Sequence, residues 1–394
     1  MTDIERTRQT IRESIQAGRD RWQAFVRDLY ENPEIGGEEY RSTDLALAIL
    51  SEASFGIARA QAGLATAFVA ERSSRAGRGS RLAFLVELDA LPGIGHACGH
   101  NTSAAASLAA ATALATALDA VNVPGTVMAI GTPGEENLSG KVTMLEAGVF
   151  RDVDVAMMVH AFDKWVPNAR SWAIEGVQFD FHGRPAHAAY APENGINALD
   201  AIMLTFAGVN ALRQHVPQTT RIHGIVTNGG QAPNVVPHEA SARMYVRAET
   251  TAQAKEVRSR VEDCARGAAL ATGCRLDLTM FEPSCDSLDQ NPVILDRYVA
   301  HGNGHLGNTA GLPELLGSTD MGNVTRVVPG IHPLMQVAPP GVKIHTPEFA
   351  AATLTAEALE AALHSAYAMA ATALDLAADA GLLKRVRDVF HSER

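Results

Sequence analysis

Four cysteines in 394 residues are too few to staple a chain of this size. That excludes a disulfide framework and makes the reducing cytoplasm the expected compartment. Positive charge is also scarce. The 33 Lys and Arg stand against 44 Asp and Glu, for a net charge of −11. No basic patch of the kind that tracks a phosphate backbone is present, so nucleic acid is not an expected partner. The leading stretch MTDIERTRQTIRES is charged and lacks the apolar centre of a secretory signal. The longest run free of ionisable side chains is NTSAAASLAAATALATAL at 101–118. Ala, Ser and Thr dominate that run, which reads as a closely packed buried helix and not as a membrane span. Internal repeats and low-complexity linkers are absent. What is plentiful is apolar side chain, 46% of a chain long enough for two domains.

The organisation follows from periodicity. The first 60 residues are helical in pattern: IERTRQTIRESIQAGRDRWQAFVRDLYENP stops at Pro33, and STDLALAILSEA follows with Ser42 or Thr43 as a plausible N-cap. RLAFLVELDAL, GTVMAIGTPGEE and VDVAMMVH then read as buried strands between helices. That alternation predicts an α/β domain with a mainly parallel sheet, whose ligands bind beyond the carboxyl ends of the strands. Each of the three strands ends in ionisable residues: Glu87 and Asp89, Glu135 and Glu136, and His160. From about residue 172 the pattern becomes β-α-β-β-α-β, with Asn194 a plausible cap of its first helix. This predicts a ferredoxin-like α+β module over 173–286, inserted in a discontinuous catalytic domain of 1–172 and 287–394. The chain is expected to close with one long Ala-rich helix from Pro347, capped by Thr346.

HACGHN, residues 96–101, sets the chemical question. As a dinucleotide loop it fails, because Cys98 stands where the third glycine belongs and the acidic Asp89 precedes the loop. As a cysteine nucleophile, Cys98 with His100 or His96 would leave Glu135, Glu136, His160 and His345 without purpose. A metal site uses all of them. Thiolate, imidazole and carboxylate are the usual ligands of zinc and similar ions. Gly99 lets Cys98 and His100 sit side by side. In the Glu135–Glu136 pair one carboxylate can hold an ion while the other takes a proton from water.

These residues carry a family resemblance. ELDALPGIGHACGHN, GTPGEENLSGK, MMVH, GRPAHAA, NGGQAPNVVP, GSTDMGN and HTPEF occur in register over nearly the whole chain. The chain resembles the aminoacylase and carboxypeptidase-G-like metallopeptidases, whose members include aminobenzoyl-glutamate and indole-acetyl-amino-acid hydrolases. The resemblance implies two divalent ions, zinc or manganese with cobalt as a substitute, held by Cys98, His100, Glu136, His160 and His345. It implies Glu135 as general base, Asp89 as a carboxylate orienting a ligand, and His96 behind the ligands. The inserted module then serves as lid and dimerisation domain of a homodimer. His187 matches a histidine that reaches the partner subunit's active site and steadies the oxyanion. Asn234 matches a substrate contact, and His223 and Asp320 are further candidates for that role.

One position departs. Relatives often carry Asp after the Cys-Gly-His triplet, and this chain has Asn101, closer to the aminobenzoyl-glutamate and β-alanyl-dipeptide branch. Loss of that charge beside His100 is expected to weaken metal retention or shift specificity. The expected reaction is hydrolysis of an amide in a small carboxylate-bearing substrate. The same site could instead displace an amino group from an electron-poor aromatic ring, and a non-catalytic metal-binding protein is the alternative outside enzymology.

Overall fold

Strand Ser80–Val86 shows how the sheet is covered. Leu82, Phe84 and Val86 join one buried cluster, while Ala83 and Leu85 join another. A near-continuous apolar run is what a strand with both faces buried requires. The computed structural model describes residues 3–302 and 315–392. Their chain forms two units: Met1–Arg170, Leu288–Leu316 and Asp320–Arg394 make one, and Ser171–Ser287 with Gly317–Thr319 the other.

The sheet of the first unit runs Gly56–Arg59, Phe68–Ser73, Gly125–Gly131, Ser80–Val86, Val155–Met157, Gly330–Ile331. The last four are mutually parallel, and the first two form an antiparallel hairpin at one edge. Helices His100–Ala120 and Ala356–Ala378 cover one face, and the helix Gly140–Glu146 with Met321–Thr325 covers the other. The chain leaves Ser80–Val86 through one face to Gly125–Gly131 on one side of it. It then crosses the other face to Val155–Met157 on the opposite side. Ser80–Val86 is therefore a switch point, where ligand crevices open at the carboxyl ends. The run 101–118 lies in His100–Ala120, a helix long and apolar enough to cross a membrane, yet nearly all of it is buried in this unit.

Three local expectations change. The helix over STDLALAILSEA starts at Tyr40, with Ser42 and Thr43 buried inside it. Its end is capped by Glu34, whose carboxylate accepts from Arg41 N at 3.0 Å and Ser42 N at 2.7 Å. From Pro347 the chain forms three helices in place of one, Pro347–Ala352, Ala356–Ala378 and Ala380–Ser392. Thr353 Oγ1 bonds back to Ala350 O, and Thr355 recaps the chain through Ala358 N. In the inserted unit the cap of Ala198–Leu212 is Asn197, not Asn194.

The inserted unit is an antiparallel sheet in the order Arg275–Met280, Ala173–His182, Glu239–Ala248, Arg221–Asn228. Helices Ala198–Leu212 and Thr251–Thr272 share its buried cluster. This is the ferredoxin-like order. Gly317–Thr319 joins it through Trp172 N to Gly317 O at 2.8 Å and Arg247 Nη1 to Ser318 Oγ at 2.8 Å.

A buried carboxylate ties distant helices of the first unit together. Asp375 accepts from Arg8 at 2.5 Å and pairs with His301 Nε2 at 2.8 Å. Burial alone raises its pKa, but the bonds from His301 and Arg8 outweigh that and hold it below the usual aspartate value. A depressed carboxyl stabilises the fold above the unfolded pKa, near 4, and the contribution fades as pH falls through the folded value. Asp375→Asn is expected to cost roughly 1–3 kcal/mol at pH 7. In thermal melts the gap between wild type and variant should close below about pH 4.

Candidate metal and active site

The helix His100–Ala120 begins at the site because Gly99 turns the chain into it. Gly99 has φ +81°, and a Cβ there would lie 2.3 Å from the Ala161 Cβ. Only glycine meets both demands. Cys98 and His100 flank this turn, and His160 follows the end of Val155–Met157.

Each histidine is aimed by its Nδ1. His100 Nδ1 lies 2.9 Å from Asp89 O and 3.0 Å from Asp89 Oδ1. His160 Nδ1 lies 2.8 Å from Ala161 O. Both are thereby left with Nε2 for the site, an orientation typical of metal-ligating histidines. His160 Nε2 is 3.4 Å from Cys98 Sγ. Asp89 Oδ2 also accepts from Glu136 N at 3.1 Å, so one carboxylate braces His100 and the Glu135–Glu136 turn together. His345 enters from the last segment of the discontinuous unit. Its Nε2 is 3.3 Å from Glu136 Oε1, and its amide bonds to Ala97 O at 2.9 Å. Its φ of +65° is a strained value for a side chain with a Cβ, as is common at functional positions.

The donors converge. Cys98, His100 and His160 each offer an atom within 4.8 Å of the others, as do Cys98, Glu136 and His345, and His100, Glu135 and Glu136. His100 Nε2 is buried without a hydrogen bond among the described residues. A thiol, three imidazoles and a carboxylate, with an unsatisfied buried nitrogen among them, fit a divalent cation. These residues could hold a metal ion. Burial pushes the Cys98 thiol well above its usual pKa. That opposes a free thiolate nucleophile, whereas a bound cation deprotonates a ligating thiol.

The paired glutamates differ sharply. Burial would raise Glu136, but the bond from His345 and the charge of His100 hold it down at about 2. Glu135 is pushed well above the usual carboxylate range by burial and by the charges of Glu87, Asp320 and Glu136. One carboxylate is thus held ionised beside the other donors, and its neighbour has a high affinity for a proton. His96 is buried beside this group and kept neutral, its pKa lowered to about 3 by burial and by His100.

Sequence reasoning missed a second layer. Lys141 is fully buried, with Nζ 2.6 Å from Glu87 Oε1 and 2.6 Å from Asp320 Oδ1. Glu87, Glu135 and Asp320 bring carboxylate oxygens within 4.8 Å of one another around it. Asp320 was expected to contact substrate. In the structure its oxygens accept from Lys141 Nζ and, at 3.0 Å, Lys141 N. Glu87 Oε2 reaches within 3.4 Å of His100 Nε2. His332, buried and edge-on to His160, follows the two-residue strand Gly330–Ile331. Its place beyond a parallel strand end was the signal available, but the strand is too short to be read.

Asn101 points away from this chemistry. Its Nδ2 donates to Val26 O at 3.3 Å and Thr353 Oγ1 at 3.0 Å. An aspartate has no donor for the Val26 carbonyl, so the amide serves helix packing.

The remaining expected residues lie in the inserted unit. His187 and Asn234 are neighbours there, on segments joined by Ala188 N to Asn234 O at 3.0 Å and a bridge between His187 and Val235. His187 Nδ1 accepts from Ala189 N at 3.2 Å and Tyr190 N at 3.1 Å, which leaves the proton on Nε2. His223 Nε2 accepts from Arg247 Nε at 3.4 Å, and the ring packs near Tyr245.

A parallel-sheet unit carrying this donor set at its strand ends, with a ferredoxin-like unit inserted in its sequence, defines a protein equipped to hold divalent metal. The family model of the peptidase dimerisation domain matches residues 173–272. The chain is 35% identical to the Xaa-Arg dipeptidase of Mus musculus over 402 residues, covering 98% of this chain and 93% of that protein. It is 33% identical over 305 residues to a chain of the p-aminobenzoyl-glutamate hydrolase of Escherichia coli, covering 72% of this chain and 62% of that one. Among solved structures it is similar to a dinuclear metal-binding peptidase of Bacillus subtilis from the M20 family. There the TM-score is 0.68 at 22% identity, with 91% of this chain and 99% of that one covered. The chain belongs to the M20 family of metal-dependent peptidases and amidohydrolases.

Proposed function

We propose that the protein hydrolyses the amide bond of a small carboxylate-bearing substrate, with Glu135 as general base. Candidates are a dipeptide, an N-acyl amino acid or an aminobenzoyl-glutamate. The observation that carries this reading is the division of labour on one turn. Glu136 sits with Cys98 and His345, while Glu135, one residue away, has its own oxygen beside His100 and a raised proton affinity. Likeness to the mouse dipeptidase over almost the full chain makes dipeptides ending in arginine the first to test.

Cys98, His100, Glu136, His160 and His345 would hold two divalent ions, zinc or manganese, with cobalt as a working substitute. Bound there, the ions supply Lewis acidity that polarises the carbonyl and makes water more acidic. Glu135 accepts the proton of the attacking water and delivers it to the leaving amine nitrogen. Asp89 keeps His100 and Glu136 in register. His187 carries its proton on Nε2, the form that can donate to a developing oxyanion, and acts on the partner subunit's site. Asn234 and His223 contact substrate. Dimerisation runs through the inserted unit. Its edge strand Arg221–Asn228 exposes Ile225 and Val226, and the dimerisation-domain match spans it. A content of four cysteines in 394 residues suits a cytoplasmic setting.

The test is a substrate screen on protein stripped of metal and reloaded with zinc, manganese or cobalt. The panel holds Xaa-Arg and β-alanyl dipeptides, N-acyl amino acids, aminobenzoyl-glutamate and aminobenzoates. Chelation is expected to abolish release of a free amino acid, and metal to restore it. Activity that survives chelation and dies on thiol alkylation would instead mark a cysteine hydrolase. Ammonia without an amino acid would mark ring deamination.

A further inference from the structure

The segment Asn32–Glu39 is a strap against both acidic turns of the site. Glu34 O accepts from Ala90 N at 2.8 Å, next to Asp89. Ile35 forms a bridge with Ala90. Gly36 O accepts from Asn137 Nδ2 at 3.2 Å. Contact at Gly36 is close enough that a Cβ would fall 2.0 Å from Asn137 Oδ1 and 2.6 Å from Gly134 Cα.

Glu39 ends the strap. It is fully buried, and no step of the proposed reaction uses it. Its Oε2 accepts from Gly37 N at 2.9 Å and Thr66 Oγ1 at 2.7 Å. Its Oε1 accepts from Gly134 N at 2.8 Å. Two of these donors fasten the carboxylate to its own loop and to the connection just before the second strand of the edge hairpin. The third is the amide directly before Glu135. A carboxylate so held is a rigid acceptor, and charge-assisted bonds of this length are the strong kind. We infer that Glu39 is a positioning residue: through the Gly134 amide it sets where Glu135 stands relative to the ligand-bearing Glu136. This rests on the reading of Glu135 as base.

Positioning and plain stability give different readouts. A structural carboxylate would change Tm and leave kcat alone below the melt. Glu39→Ala is expected to lower kcat roughly 10–100-fold, the range for a base displaced by about 1 Å. KM should stay within about 3-fold, and zinc bound per chain should be unchanged. Glu39→Gln keeps an acceptor for Gly134 N and is expected to recover most of kcat. Gly36→Ala approaches from the other side: its Cβ pushes on Asn137 and Gly134 and should lower kcat with the same unchanged zinc content. Wild-type kcat in folded Glu39→Ala overturns the inference, and so does equal loss in the Ala and Gln variants. If Glu39→Ala does not fold, Gly36→Ala decides, and wild-type kcat there overturns it. Glu135→Gln run in parallel separates the two claims. Near-normal turnover in that variant removes the base, whereas its inactivity beside an unaffected Glu39→Ala removes the strap alone.

Discussion

Glu135→Gln is expected to lower kcat by about 10²–10⁴-fold while the protein keeps its metal and its melting temperature. The amide is nearly isosteric with the carboxyl, so packing changes little. It cannot accept a proton, so the attacking water loses its base. The neighbouring glutamate sharpens the contrast. Glu136 stands with Cys98 and His345, and Glu136→Gln should release metal and so fail for a different reason. Metal analysis of both variants, with steady-state kinetics on the best substrate, checks the assignment. An active Glu135→Gln protein, or a metal-free one, would mean that the two roles are exchanged or wrongly given.

The second large effect concerns folding. Lys141 is the ammonium between Glu87 and Asp320, with both contacts at 2.6 Å and no solvent exposure at the lysine. Lys141→Met keeps most of the side-chain volume and removes the charge, which leaves buried carboxylates crowded without a counter-ion. Breaking a buried pair in this way costs about 3–5 kcal/mol. For a unit of this size that corresponds to a fall in Tm of roughly 6–20 °C. A second variant isolates the electrostatic part. Lys141→Met combined with Asp320→Asn and Glu87→Gln should regain much of the loss, since neutral groups need no partner charge. Calorimetry on the three proteins checks this. A Lys141→Met protein as stable as wild type would mean that the triad contributes no net stability.

Much of the site was legible because strand ends are legible. Glu87, Asp89, Glu135, Glu136 and His160 follow apolar runs that read as buried strands, and the parallel sheet carries all of them to one edge. The linked Cys98 and His100 could be read from the glycine between them. Lys141 could not be read. A lysine after Asn-Leu-Ser-Gly looks like a solvated turn residue, and only tertiary structure shows the two carboxylates around it. The bond from Lys141 to Asp320 was invisible for the same reason. Asn101 was weighed for its missing charge, but its amide matters as a donor to Val26 and Thr353. Helix breaks hid in Ala-rich sequence. Nothing in composition distinguishes Thr353 and Thr355 from the threonines that continue the helix His100–Ala120.

The strained His345 bears on how the protein is made. Cys98, His100, Glu136 and His160 all belong to the first segment of the discontinuous unit, and so leave the ribosome before the insertion. His345 and the strand Gly330–Ile331 emerge only after the whole inserted unit has been translated. Domains generally fold as units during synthesis. A nascent chain therefore exposes a half-built thiol, imidazole and carboxylate cluster for the whole time that the insertion takes to be made. The last member of the cluster arrives with the pairing of His345 N to Ala97 O. In the order of synthesis, closure of the donor set therefore comes after the insertion.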